Sequence, residues 1–123
     1  MIEAKQGRVY GCELEAVLGI VGGKWKLFIL WNLRPGTLRY AELRRRTPGV
    51  SERMLINQLR ELEADGMVHR EQYPEVPPRV EYSLTDKGRS LSPALDALGA
   101  WGKEHVLGAG SVTMTGSSGQ AGS

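Results

Sequence analysis

A chain of 123 residues, 41% hydrophobic and 24% charged, fits one soluble globular domain with a real core. It shows no apolar run near the ~20 residues that span a bilayer and no secretory signal pattern. Its single cysteine rules out an internal disulfide or a cysteine metal cluster, so a reducing cytoplasm is the expected compartment.

Residues 1–11 lack periodicity and are predicted to be a flexible arm carrying Lys5 and Arg8. From Glu13, the apolar positions Leu14, Val17, Leu18 and Val21 fit a short amphipathic helix, which Gly22-Gly23 stops. Lys24 to Leu33 reads as a second helix buried through Trp25, Phe28, Ile29 and Leu33. Pro35-Gly36 is a turn signal, and Leu38-Arg39-Tyr40 is a candidate short strand. A short third helix from Tyr40 or Ala41 to Arg46 leads into the turn Thr47-Pro48-Gly49-Val50.

The next stretch is the most informative. Ser51 is a good helix N-cap, its hydroxyl able to accept from a first-turn N–H, and Gly66 suits the position just past a helix end. Between them Leu55, Leu59 and Leu62 form one apolar stripe. At 3.6 residues per turn the opposite face shows Arg53, Ile56, Asn57 and Arg60. Two alternating segments, Met67–Tyr73 and Val80–Thr85, then read as a hairpin with a proline-stiffened tip. Helix followed by hairpin is the winged helix-turn-helix order, an α+β, mainly α fold whose usual task is binding duplex DNA. Tyr82 with Val80 and Leu84 should face the core, leaving Glu81 to face out or pair with Arg70. Thr85 can cap a helix from Asp86 bearing Leu91, Leu95, Leu98 and Trp101; Pro93 predicts a kink or a start near Ser92. The segment 108–123, with five glycines, four serines and two threonines, reads as a flexible tail.

Charge supports the DNA reading. Between Lys24 and Arg60 lie nine basic and two acidic residues, a net of +7, while the remainder carries seven and twelve, a net of −5. Such a block is an electrostatic footprint for phosphate, or else a solvated, self-compensating surface. Arg53 and Asn57 are the candidate base readers, since arginine pairs bidentately with guanine and asparagine with adenine. Ile56 could meet a thymine methyl or pack against Val50 or Leu43. Candidate phosphate or groove contacts are Ser51 with its helix N-terminal amides, Arg60, Arg79 at the wing tip, and Arg44, Arg45 and Arg46. Those last three would also complement a helix dipole. Lys24 and Lys26 open a helix, a poor place for cations, which points to an anion nearby.

The run Gly22-Gly-Lys-Trp25, then Arg39-Tyr-Ala-Glu-Leu43, Ser51 to Gly66, and Val76-Pro-Pro-Arg-Val-Glu-Tyr-Ser-Leu-Thr85 resembles the HxlR family of winged helix-turn-helix transcription regulators. The resemblance covers roughly Cys12 to Trp101 and makes 12–107 the expected domain. It implies a homodimer joined through terminal helices, including a C-terminal dimerisation helix. It further implies operator binding, most often as a repressor. Some members carry a cysteine before the first helix that senses electrophiles or oxidants, the position Cys12 occupies. Here Glu13 replaces the proline that often follows; its carboxylate would disfavour a thiolate, whereas a helix N-terminus would favour one. Cys12 thus reads as a redox sensor for an oxidant or small-molecule effector, or as a partly buried small residue.

Other chemistries find little support. Gly19 to Trp25 is one residue short of a P-loop, with Trp25 in place of the magnesium-binding hydroxyl. His69, His105 and Cys12 show no metal-ligand spacing, and no nucleophile–base set is visible. No enzyme activity, cofactor or metal is expected. A protein-interaction module and, more remotely, a thiol enzyme built on Cys12 remain the competing classes.

Overall fold

The computed structural model describes residues 1–5 and 7–108. In chain order it comprises β1 (Ile2–Glu3), β2 (Val9–Tyr10), α1 (Glu13–Val21), α2 (Trp25–Leu33), β3 (Leu38–Arg39), α3 (Tyr40–Arg45) and α4 (Glu52–Ala64). The hairpin β4 (Val68–Tyr73) and β5 (Arg79–Leu84) follows, then α5 (Asp86–Ser90), α6 (Ser92–Gly102) and a π-helical turn, Lys103–Leu107. The described residues of 1–89 and those from Ser90 to Gly108 form two compact units.

In the first unit the core is set by α4. Leu55, Leu59 and Leu62 are buried together with Ile29, Leu30 and Leu33 of α2, Leu43 of α3, and Met67, Val68, Tyr82 and Leu84 around the hairpin. Burying leucines of this kind stabilises by roughly 1.5–3 kcal/mol each. The termini of α4 follow its sequence: Met54 N–H donates to Ser51 Oγ at 3.0 Å, and Gly66 takes the left-handed conformation, φ +76°, that ends the helix cheaply. The turn between α3 and α4 is fixed by Thr47, whose buried hydroxyl donates to the Leu43 carbonyl at 3.0 Å, and by Gly49 at φ +92°.

The sheet is antiparallel in the order β3-β5-β4. Leu38 lies opposite Tyr82, and Arg70 opposite Tyr82 on its other side. As alternation predicts, Tyr82 and Leu84 are buried. After β5, Gly88 N–H donates to Thr85 Oγ1 at 3.0 Å, which caps α5.

Three expectations need correction. Residues 1–11 are not without regular structure: β1 and β2 pair, Ile2 with Tyr10 and Glu3 with Val9, and Arg8 Nη2 reaches Asp65 Oδ1 at 2.9 Å, beside the end of α4. Phe28 is 48% exposed, and Leu30 is buried instead; apart from Lys26 and Asn32, α2 is apolar, which leaves no single apolar face for periodicity to pick out. Glu81 does not pair with Arg70. It lies opposite Glu71 and Arg39 in the ladders and within 3.4 Å of Arg79.

Considered by itself, the second unit starts α6 at Ser92 with Pro93 in the first turn, where the missing N–H is harmless. The predicted stripe divides: Leu95 is buried, whereas Leu98 and Trp101 are exposed, as are Val106 and Leu107. The tail expected over 108–123 lies, beyond Gly108, outside the described residues. No helix of the described residues is long and apolar enough to cross a membrane.

Candidate nucleic-acid interface

With its leucines buried, α4 turns Arg53, Asn57 and Arg60 to the surface, and all three are exposed. Each is placed by the same helix that forms the core, so this exposed face is held by packing rather than by a loop. Ile56 is half-buried and lies on the side of α4 that looks toward the wing. Ser51 is exposed, with its hydroxyl already accepting from Met54. Arg45 and Arg46 are exposed at the end of α3, whereas Arg44 is half-buried.

The two lysines at the start of α2 behave differently. Lys24 is exposed, its ammonium 4.9 Å from the Trp25 ring centroid. Lys26 is only 8% exposed, and its Nζ lies 2.6 Å from Glu61 Oε1. The anion that two cations at a helix start call for is therefore, for Lys26, a carboxylate of α4. Lys26 is not presented as a phosphate contact.

Arg79 is likewise engaged. Its guanidinium lies 2.9 Å from Glu75, 3.4 Å from Glu81 and 4.0 Å from the Tyr73 ring centroid. The proline-bearing tip from Pro74 to Pro78 is exposed, and Arg79 sits at its base rather than projecting from it. A phosphate would have to compete with two carboxylates for this side chain.

Between α4 and the wing lies an open groove of about 890 Å³. Tyr40, Ile56, Val80 and Tyr82 line it together with Arg39, Arg60, Arg70 and Arg79. Glu52, Glu63 and Glu75 stand on its sides. Burial raises the Tyr82 phenol above its ordinary pKa, opposed in part by a hydrogen bond and charge from Arg70. Among the described residues, Tyr40 Oη and Arg79 Nε are buried with no hydrogen-bond partner. Arg39, Tyr40 and Arg70 were not among the sequence candidates. Their separation from α4 along the chain leaves no local pattern that would have gathered them.

Cys12 is exposed at the N-cap of α1, with no side-chain capping bond and with Glu13 and Glu15 in the first turn. The Gly11 N–H donates to the Glu15 carboxylate. Among the described residues no group of three or more His, Cys, Asp and Glu could hold a metal ion. His69 instead meets Glu71 at 2.9 Å.

Comparison with known proteins agrees with this geometry. Residues 20–108 match the model of the HxlR-like helix-turn-helix family. A helix-turn-helix transcriptional regulator of Methanothermobacter thermautotrophicus is 54% identical over 94 residues, covering 76% of this chain and 72% of that protein. Among solved structures, the redox regulator HypR in its oxidised form superposes with a TM-score of 0.71 at 50% identity, over 75% of this chain and 95% of HypR. A transcriptional regulator from Porphyromonas gingivalis W83 superposes with a TM-score of 0.76 at 41% identity, over 80% and 97% of the two chains.

Proposed function

The chain belongs to the HxlR-like helix-turn-helix family of transcription regulators, and we propose that it represses transcription as a homodimer on a roughly palindromic operator. The observation that carries this reading is the division of α4 into a buried leucine stripe and an exposed Arg53, Asn57, Arg60 face. Arg53 and Asn57, nearer the N-terminus of the helix, read base edges in the major groove. Arg60, Arg45, Arg46, Lys24 and the capped N-terminus at Ser51 position the backbone, with Arg44 and Arg79 contributing from partly buried sites.

The dimer reading is supported by apolar surface on the terminal helices. Leu14 and Leu18 of α1 are 65% and 54% exposed, and Leu98 and Trp101 of α6 are 59% and 60% exposed. Large apolar groups left open in this way are the kind of surface that subunits cover. Two copies of α4 would then enter successive major grooves on one side of the duplex.

Cys12 supplies the signal input in this account. It is exposed, and the similar protein HypR is a redox regulator. Oxidation of the thiol to a sulfenic acid or mixed disulfide would alter the start of α1. A Cys12→Ser variant should keep operator affinity and lose its response to diamide or hypochlorite. Equal responses of the two proteins would remove Cys12 from the account.

The DNA reading is tested by fluorescence anisotropy against the duplex flanking the gene, with a scrambled duplex alongside and salt varied. Two chains per duplex, preference for the native sequence, and a log K slope of about −0.9 per phosphate contacted are expected. Absence of duplex binding at low salt would overturn it.

A further inference from the structure

Of the residues lining the groove between α4 and the wing, Arg60 and Arg79 already have phosphate roles, whereas Arg39, Tyr40 and Arg70 have none. If α4 enters a major groove and the wing reaches the adjacent minor groove, the sugar–phosphate ridge dividing those grooves must pass between them. We propose that this groove seats that ridge, with the Tyr40 hydroxyl donating to a phosphate oxygen and Arg39 and Arg70 flanking it. The proposal rests on the operator-binding reading and adds three contacts to it.

Three features of the groove support it. Tyr40 Oη is buried yet has no partner among the described residues, and a buried hydroxyl left unsatisfied is costly unless a ligand completes it. A phosphodiester, which offers only acceptors, is a fitting complement to a phenol O–H and guanidinium N–H groups. Arg70 already spends one N–H on Gln72 Oε1 at 3.1 Å, which helps hold its fork in place while other donors remain. Arg39 stands exposed at the start of α3, its backbone N–H fixed by Glu42 Oε1 at 2.9 Å.

The groove is also nearly balanced in charge, with four guanidinium groups among three carboxylates. Long-range attraction must therefore come from the exposed cations elsewhere, while the groove selects by hydrogen-bond geometry. This separates the new residues by their salt behaviour. Tyr40→Phe removes a neutral donor that the fold itself leaves unpaired, so folding should be unharmed. Duplex affinity should fall roughly ten-fold per half-site, the worth of a hydrogen bond to a charged group, for all sequences alike and with the salt slope unchanged. Arg70→Gln should also weaken all sequences and flatten the slope by about one unit per half-site.

The decisive experiment replaces single operator phosphates with neutral methylphosphonates and measures the wild type and Tyr40→Phe on each duplex. One position per half-site should abolish the Tyr40→Phe penalty, since donor and acceptor act as a pair. Wild-type binding with no effect of Tyr40→Phe or Arg70→Gln at any position would overturn the seat while leaving operator binding intact. A saturable site for inorganic phosphate, lost in Tyr40→Phe while duplex binding is unaffected, would overturn it in favour of a small-anion pocket. Failure of the wild type to bind duplex would instead sink the operator reading on which the seat depends.

Discussion

Lys26 Nζ and Glu61 Oε1 meet at 2.6 Å across the contact between α2 and α4, the lysine buried and the glutamate half open to solvent. The pair ties the recognition helix to the core from its solvent-facing flank, beyond the leucine stripe. Glu61→Gln leaves a buried ammonium without its counter-charge and should cost about 1–3 kcal/mol in urea unfolding. Lys26→Met keeps the apolar stem and removes the charge, so its cost should stay within about 1 kcal/mol. Neither change should alter the salt slope of DNA binding; a slope flattened by Lys26→Met would return Lys26 to the set of phosphate contacts.

At the base of the wing, Arg79 is shared between Glu75 and Glu81. Arg79→Ala should weaken all sequences alike and flatten the salt slope by about one unit per half-site. Glu75→Gln should act in the opposite direction, releasing the guanidinium toward phosphate and steepening the slope. Identical binding by both variants would show that the arginine serves only the wing.

The buried Tyr82 phenol links stability to alkaline pH. Burial raises its folded-state pKa above the ordinary value, so the unfolded chain loses this proton first as pH rises. The contribution is fully present below about pH 10 and is lost as pH climbs through the raised folded value. Thermal melts above pH 10 should show a weaker pH dependence in Tyr82→Phe than in the wild type. Parallel curves would contradict the assignment.

The exposed α6 side chains Leu98 and Trp101 are expected to lie in the dimer interface. Leu98→Asp should shift sedimentation from dimer toward monomer and weaken operator binding, because the second recognition helix is no longer tethered. A monomeric wild type with full operator affinity would rule out this dimer.

Local signals carried most of the fold. Ser51 and Thr85 as caps, Gly66 as a helix end, the leucine period of α4, Pro93 at the start of α6 and the alternation placing Tyr82 inward all depend on neighbours within a few residues. What stayed hidden joins distant parts of the chain. Lys26 and Glu61 are far apart in sequence, and so are Arg8 and Asp65, or Tyr40 and the wing; no periodicity encodes such meetings. Arg79 shows the same limit at short range, since whether a tip arginine projects or folds back on Tyr73 depends on the turn. Phe28 escapes the pattern because apolar residues lie on nearly every side of α2, which leaves no single face to read.

The central claim is that Arg53 and Asn57 on the exposed face of α4 read the operator. It is tested most directly by measuring the affinity of the wild type, Arg53→Ala and Asn57→Ala for every single-base variant of the operator. Arg53→Ala should lose roughly 1–3 kcal/mol on the native duplex and lose discrimination at one base pair in each half-site; Asn57→Ala should do so at a different one. Unchanged affinity and unchanged base preference in both variants would show that another surface reads the DNA.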